Sequence, residues 1–183
     1  MDNKEILDFI IKYKSHQFYQ PVVFKAGVLE IRGKWHNATI EFAKQLFQSN
    51  NIRSLLDVGC NVGFFLHEAR RNNIPRVIGY EIDPYVLDIA RDLNRIFQDG
   101  AIIEAIDLTK QSATETFDMT LLLNLALSTE QYCHIIKNIK SERFILEIPS
   151  NVVKEFSKYN VQLSNVTQSP RISGRTVIAE ISF

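Results

Sequence analysis

Asp57, Gly59, Asn61, Gly63 and Glu81 are the residues of this chain whose types and spacing could do chemistry. They fall in one stretch, SLLDVGCNVGFFLHEARRNNIPRVIGYEIDP, from Ser54 to Pro84. Ser54 to Val58 is a short apolar run, Gly59 to Gly63 a turn, and Phe64 to Arg71 has helical character. Arg76 to Tyr80 is a second apolar run, closed by Glu81. This is the pattern of a βαβ unit, the half-site on which adenosine-bearing cofactors bind. A dinucleotide site would need glycine at positions 61 and 64, which hold Asn61 and Phe64. A P-loop would end in Gly-Lys-Ser/Thr, whereas Gly63 is followed by Phe64 and Phe65. With both phosphate-binding patterns set aside, there remains an acid at the end of each strand and a G-x-x-x-G turn between them.

That arrangement resembles motifs I and II of the class I S-adenosylmethionine-dependent methyltransferases. The cofactor implied by the resemblance has no pyrophosphate, so the turn must accept a zwitterionic tail and a sulfonium, and nearby carboxylates are tolerable. Gly59 and Gly63 let the backbone approach a ligand closely, and Asn61 is one of the few non-glycine residues that accepts positive φ. The helix starting after Gly63 offers free N–H groups to a ligand carboxylate. Glu81 can accept from both ribose hydroxyls, as an acid at the second strand does in dinucleotide folds. Turn glycines and a solvated strand end would explain these residues one at a time; their arrival together in strand, turn, helix and acid favours the cofactor. The expected cofactor-binding set is Asp57, Gly59, Cys60, Asn61, Gly63, Phe64, Glu81 and Ile82. The resemblance adds Asp107 toward the adenine amine, the Leu108 backbone toward a ring nitrogen, and Asn124 beside the methionine part. Taken alone, Asp107 could equally cap the turn that follows it.

The elements that must position these groups are legible along the chain. Residues 3 to 14 read as an amphipathic helix, with Ile6, Ile10 and Tyr13 on one line and Leu7 and Ile11 beside it. Residues 16 to 36 read as a hairpin or arm, with short extended runs at 22 to 24 and 28 to 31. A helix follows from Trp35 to about Phe47. After the glycine turn unit, Pro84 opens a helix ended by Asp99-Gly100, and Ala101 to Ile106 is a strand. Met119 to Leu123 is a central strand, Glu130 to Lys140 a helix, and Phe144 to Ile148 a strand. Asn151 to Lys158 is a last helix, and Val161 to Val166 and Thr176 to Phe183 are extended, separated by a turn at 167 to 175. The alternation predicts an α/β fold, a Rossmann-like doubly wound sheet of seven strands with the last antiparallel, as the resemblance also implies. Residues 1 to 37 are expected to form a helix and arm, and residues 38 to 183 the methyltransferase-type domain.

Composition narrows the partners. At 183 residues the chain is most simply one domain. Lys plus Arg number 21 and Asp plus Glu number 21, so no global field steers it toward nucleic acid or an anionic membrane. No apolar run approaches the roughly 20 residues of a membrane span, and the first residues are charged rather than signal-like, so a cytoplasmic location is expected. Cys60 and Cys133 lack metal-type spacing and read as reduced structural residues, and no metal site is expected.

The acceptor is less well defined. Ligands of such sheets bind beyond the carboxyl ends of the strands, which selects the Asn124 to Ser128 segment, Glu147 and the 168 to 175 turn. Tyr19 and Trp35 of the arm are expected as aromatic walls, and Arg171 and Arg175 as guanidinium forks for an anionic group, although surface arginines are common. Trp35 could equally be the first core residue of its helix. For a general base the candidates are His36, His16 and Glu147; His67 and His134 read as structural. Asn124 to Ser128, NLALS, lacks the Asn-Pro-Pro-Tyr type signature of enzymes that methylate base amines. DVGCNVGFF with the arm pattern Q-P-x-x-F…G-x-x-x-x-R-G-x-W resembles the branch holding tRNA wobble-uridine carboxymethyl-type, small-molecule and sugar methyltransferases. The expected reaction is methylation of an oxygen, in preference to a nitrogen, of a small polar or anionic acceptor, and not of nucleic acid. The alternatives are a cofactor-binding partner subunit without activity and an RNA-modifying methyltransferase.

Overall fold

A computed structural model describes residues 3–24, 30–34, 36–48, 51–170 and 176–182. The elements in chain order are α1 (Asn3–Lys12), β1 (Val22–Val23), β2 (Glu30–Ile31), α2 (His36–Gln48) and β3 (Ser54–Val58). Next come α3 (Phe64–Arg71), β4 (Arg76–Tyr80), α4 (Pro84–Phe97), β5 (Ile102–Glu104), β6 (Thr116–Leu123) and α5 (Thr129–Asn138). The chain closes with β7 (Lys140–Pro149), a 3-10 segment (Ser150–Tyr159), β8 (Ser164–Gln168) and β9 (Thr176–Ser182).

Seven strands form one sheet in the order β5-β4-β3-β6-β7-β9-β8. β5, β4, β3, β6 and β7 are parallel, and β9 runs antiparallel to both β7 and β8. The expected doubly wound sheet with an antiparallel last strand is therefore the observed one. Every residue of β3 is buried, because helices cover both faces of the parallel strands. Two apolar clusters lie on either side of it, one built on Leu56, Leu122, Tyr132, Ile136 and Phe156, the other on Leu55, Phe65, Leu66, Val77 and Leu121. The alternation Leu55, Leu56 and Leu121, Leu122 between the two clusters is the period of two expected of a strand. α3 packs so tightly on β4 that a Cβ at Gly79 would stand 2.4 Å from Leu66 Cδ1 and 2.8 Å from Cys60 Sγ.

The ends of the helices follow local rules. Asp83 caps α4, its Oδ1 accepting from the N–H groups of Tyr85 (2.9 Å) and Val86 (3.1 Å), with Pro84 in the first turn. Ser128 and Gln131 form a reciprocal capping box at α5. Several expected bounds shift. The strand predicted over 101 to 106 keeps only Ile102–Glu104, since it pairs on one side alone, with β4, and the chain then bends toward the sheet's carboxyl edge. The last helix is 3-10 rather than α, and the strand predicted over 161 to 166 begins later, at Ser164, while Val161 is buried beside Phe156 in the core.

The arm is built into the molecule. β1 and β2 pair antiparallel, as the hairpin reading predicts, and residues 25–29 between them lie outside the described residues. Phe9, Tyr13, Phe18, Val22 and Phe24 share a cluster with Ile89, Leu93 and Ile96 of α4 and with Val62 of the glycine turn. The division into residues 1 to 37 and the remainder thus falls across a shared apolar cluster. The buried stripe of α1 includes Phe9, which the sequence reading passed over, while Leu7 and Ile11 face outward. Asp92 of α4 accepts from Lys12 Nζ and Tyr13 Oη, both at 2.7 Å. Burial alone would raise the Asp92 carboxyl, but these two donors hold it below the usual carboxylate range. Arg71 of α3 donates to the Val23 carbonyl, which ties β1 to the helix after the glycine turn.

Gly33 seats the arm: a Cβ there would fall 2.4 Å from the Gln20 carbonyl carbon and 2.6 Å from the Pro21 nitrogen, both backbone atoms. Gly33→Ala should therefore lose about 1–3 kcal/mol, a melting temperature drop of roughly 2–10 °C for a chain of this size. An unchanged melting curve by circular dichroism would contradict this seating of residues 18 to 21.

Candidate cofactor site

The chain runs outward from β3 through β4 to β5 and then returns to β6 on the other side of β3, so β3 and β6 border the switch in strand order. Ligands of open α/β sheets bind at this point, beyond the carboxyl ends of the strands. A cavity of about 410 Å³ lies there. Its floor comes from Val58, Gly59 and Asn61 after β3 and from Leu123, Asn124 and Leu125 after β6. Tyr80, Glu81 and Ile82 after β4 form one wall, Ile106 to Thr109 after β5 another, and Tyr19 and Gln20 of the arm close a side. A larger cavity of about 590 Å³ is lined by Lys140 and Ser141 at the start of β7, by Ile136 and Lys137 and by residues 160–162. It sits at the opposite edge of the sheet, where this fold does not place ligands.

The glycine turn hangs from the end of β4. The Tyr80 carbonyl accepts from Gly59 N (2.8 Å) and Cys60 N (3.0 Å), and the Cys60 carbonyl accepts from Gly63 N (3.0 Å). Gly59, Asn61 and Gly63 all have positive φ, at 68°, 54° and 85°. A Cβ at Gly59 would meet Leu125 Cδ2 at 2.3 Å, so glycine is required here for space as well as for conformation. Leu125 is itself fixed, since the Tyr132 hydroxyl donates to its carbonyl (2.8 Å) and accepts from its N–H (3.1 Å).

Glu81 is 8% exposed and holds three backbone donors. Oε1 accepts from Ile82 N (2.8 Å) and Asp83 N (2.9 Å), and Oε2 from Asn61 N (2.9 Å). A carboxylate has about four acceptor directions, so one on Oε2 is left for a ligand. The expectation of two free oxygens for two ribose hydroxyls is corrected to one open direction beside a clamp on the turn. Asp107 likewise turns inward: Oδ1 accepts from Thr109 N (3.0 Å) and Oγ1 (2.6 Å), and Oδ2 pairs with Lys110 (2.8 Å). The Lys110 ammonium, then the Thr109 hydroxyl, lower its carboxyl to about 2. It caps the turn and lines the cavity at once, so the two alternatives drawn from the sequence coexist. Asn124, at φ 54°, also lines the cavity, and its Nδ2 donates to the Tyr19 hydroxyl at 2.6 Å.

Several expected site residues stand elsewhere. Asp57 is buried within β3 and Gly63 is the N-cap of α3; neither lines the cavity. Cys60 is fully buried against Gly79, and burial, then the charges of Asp57 and Glu81, push its thiol well up, so its side chain belongs to the core. Phe64 faces Pro21, Val22, Leu93 and Phe97 rather than the cavity, and its N–H, expected to be free for a ligand, donates to Gln20 Oε1 at 3.1 Å. Gly59, Asn61, Glu81, Ile82, Asp107, Leu108 and Asn124 do come together. Glu147 is fully buried on β7, where it accepts from the Ser169 hydroxyl, and His36 pairs with Glu30 of β2. Neither is among the residues that line the cavity. His16 packs on Phe18 and Tyr85, and His67 is structural, with Nδ1 2.8 Å from Asp99 Oδ2. Trp35, Arg171 and Arg175 lie outside the described residues. Gln20 and Thr109 were missed, and of these only Gln20 carried a signal, in the Q-P pair of the arm; Leu125 to Leu127 fall within the expected 124 to 128 segment.

The donor set decides what fits. Among the described lining residues there are two carboxylates, Glu81 and Asp107, and no cationic side chain, within walls that are otherwise largely apolar. Asn61 Oδ1 is buried without a hydrogen-bond partner among the described residues. A pyrophosphate would find no countercharge here, whereas an adenosyl group with a cationic sulfur would. Among the described residues no helix is long and apolar enough to cross a membrane.

Comparison with known proteins agrees on the fold. No protein-family model matches the chain. A stretch of 52 residues, 28% of the chain, is 33% identical to nodulation protein NoeA of Rhizobium meliloti (strain 1021), and spans 11% of that protein's length. Solved structures align over most of the chain. A TehB-like S-adenosylmethionine-dependent methyltransferase from Corynebacterium glutamicum superposes with a TM-score of 0.61 at 18% identity, covering 76% of this chain and 85% of that one. Magnesium protoporphyrin IX methyltransferase from Synechocystis, solved with bound S-adenosylmethionine, gives 0.61 at 14%, covering 78% and 76%. The 16S rRNA methylase RmtB gives 0.60 at 12%, covering 79% of this chain and 61% of that one, so the chain spans under two thirds of its length. These likenesses show that the chain has the class I methyltransferase fold.

The clamp on the turn has a measurable energy. Glu81→Ala strips the acceptor from three backbone N–H groups; it should destabilise the protein by about 2–4 kcal/mol in urea denaturation, with Glu81→Gln, which keeps one acceptor oxygen, losing less. Equal stability of Glu81→Ala and wild type would contradict the clamp.

Proposed function

We propose that the chain is an S-adenosylmethionine-dependent methyltransferase acting on an oxygen of a small polar acceptor. The observation that carries the reading is the cavity at the β3/β6 switch, which presents Glu81 and Asp107 and, among the described residues, no cation. On this reading Glu81 Oε2 takes a ribose hydroxyl, Asp107 and the Leu108 backbone face the adenine, and Asn61 Oδ1 accepts from the ammonium of the amino-acid tail. Apolar Ile82, Ile106 and Leu108 flank the base. The bound cofactor supplies an activated methyl group on a positively charged sulfur.

The chain's own residues then need to hold an acceptor in line with that methyl and keep water out, which is where much of the rate of a displacement comes from. Tyr19 stands on the arm side of the cavity with its oxygen accepting from Asn124, which leaves its O–H proton available to orient an acceptor oxygen. Trp35, Arg171 and Arg175 stay candidates for the acceptor's surroundings. An acceptor oxygen already ionised at neutral pH, such as a carboxylate, has no proton to lose and requires no base.

A second reading, an RNA-modifying methyltransferase, draws on the likeness to RmtB and to an rRNA methylase of Escherichia coli. It is disfavoured by the balance of 21 basic and 21 acidic residues, since phosphate contacts supply much of the affinity for nucleic acid. Incubation with methyl-tritiated S-adenosylmethionine, and either a panel of small carboxylated and hydroxylated molecules or total RNA, separates the readings. Label is expected in the small-molecule fraction. Label in RNA would establish the second reading, and bound cofactor with no transfer to any acceptor would mark an inactive cofactor-binding subunit.

A further inference from the structure

The sequence leaves the start of α3 open for a ligand carboxylate, but Gln20 stands there. Its side-chain oxygen accepts from Phe64 N at 3.1 Å, in a residue only 5% exposed. The orientation of this amide follows from its partner. A backbone N–H can only donate, so the oxygen must face Phe64, and the NH2 is committed to the other side. Gln20 lines the cavity together with Asn61. Nε2 makes no hydrogen bond with any described residue, so two donors remain for whatever enters.

Resting on the methyltransferase reading, we propose that Gln20 is a ligand-binding residue: its Nε2 holds the carboxylate of the cofactor's amino-acid tail. Gln20 thereby converts the N-terminal end of α3 into a side-chain donor that reaches the cavity. The hydrogen bond from Phe64 polarises the amide, and the aligned peptide dipoles of α3 act in the same sense. Neutral donors suit this place because no cationic side chain among the described residues lines the cavity. The donor is also preorganised. Gly33 packs against the Gln20 backbone, Lys34 N donates to the Phe18 and Tyr19 carbonyls at 3.1 Å each, and Tyr19 is held by Asn124. The arm therefore supplies part of the cofactor site, and selects ligands that carry a tail carboxylate over adenosines that do not.

Gln20→Glu is the informative variant. One carboxylate oxygen still accepts from Phe64 N, so the seat of the arm survives, while the other replaces the NH2 with a negative charge. Calorimetric titration of wild type and Gln20→Glu would use S-adenosylhomocysteine and 5′-methylthioadenosine, which keeps the adenosyl sulfur but has no amino-acid tail. The expected result is S-adenosylhomocysteine weakened about tenfold or more in the variant, with 5′-methylthioadenosine within about twofold of wild type. S-adenosylhomocysteine bound equally by both proteins would overturn the role of Gln20 and leave the methyltransferase reading standing. Wild type alone also decides, should the variant not fold: equal affinity for the two ligands would mean that the tail carboxylate is not held. Binding of neither ligand to wild type would overturn the methyltransferase reading, and this inference with it.

Discussion

A single carboxylate at the end of β4 accepts three backbone N–H groups, two from the segment that leads into α4 and one from Asn61 in the glycine turn. That bond joins the two halves of the βαβ unit at the edge of the sheet where the strands open. The turn has to adopt left-handed backbone at three positions, which only glycine and asparagine accept readily. Its shape is held from one side by Glu81 and the Tyr80 carbonyl, and from the other by Leu125, which occupies the space that a Cβ on Gly59 would need. Tyr132 fixes Leu125 in turn. The cavity is the consequence: it exists because β3 and β6 part company at the switch and because each segment leaving them is tied down by a polar contact.

The arm completes the same construction from outside the sheet. Apolar contacts with α4 and with Val62 anchor it, and Asp92 and Arg71 add polar ties. Among the described residues of the arm, two polar side chains line the cavity and do different things. Gln20 reaches the start of α3, and Tyr19 reaches the end of β6, so the arm bridges the two strands that border the switch. An element that reads in sequence as an appendage is thus part of the wall.

Much of the fold was legible because its signals are local. The apolar runs at Ser54–Val58 and Arg76–Tyr80, the glycine pair and Pro84 each announce an element over a few residues, and the structure keeps those bounds. Edges were less legible. β5 and β8 are each paired on one side only, so their lengths depend on where a neighbour ends rather than on their own residues. Within the site, the sequence could identify Glu81 and Asp107 as acids at strand ends, but not how many of their acceptor directions the backbone would consume. Glu147 shows the same limit: in sequence an acid at a strand end looks alike whether it faces the cavity or, as here, accepts from the Ser169 hydroxyl. Gln20 showed in sequence only as part of the Q-P pair; its contact with Phe64, 44 positions away, was not legible because no periodicity links an arm to a helix start.

The central claim, that the cavity at the β3/β6 switch is an S-adenosylmethionine site, is tested most directly by backbone amide chemical shifts in a titration with S-adenosylhomocysteine. The account predicts saturable shifts at Gly59 to Gly63, Glu81 and Ile82, Asp107 to Thr109 and Asn124 to Leu127, with the far edge of the sheet unmoved. Shifts confined to Ile136 to Ser141 and Asn160 to Gln162, around the larger cavity at the opposite edge, or no shifts at saturating ligand, would contradict it.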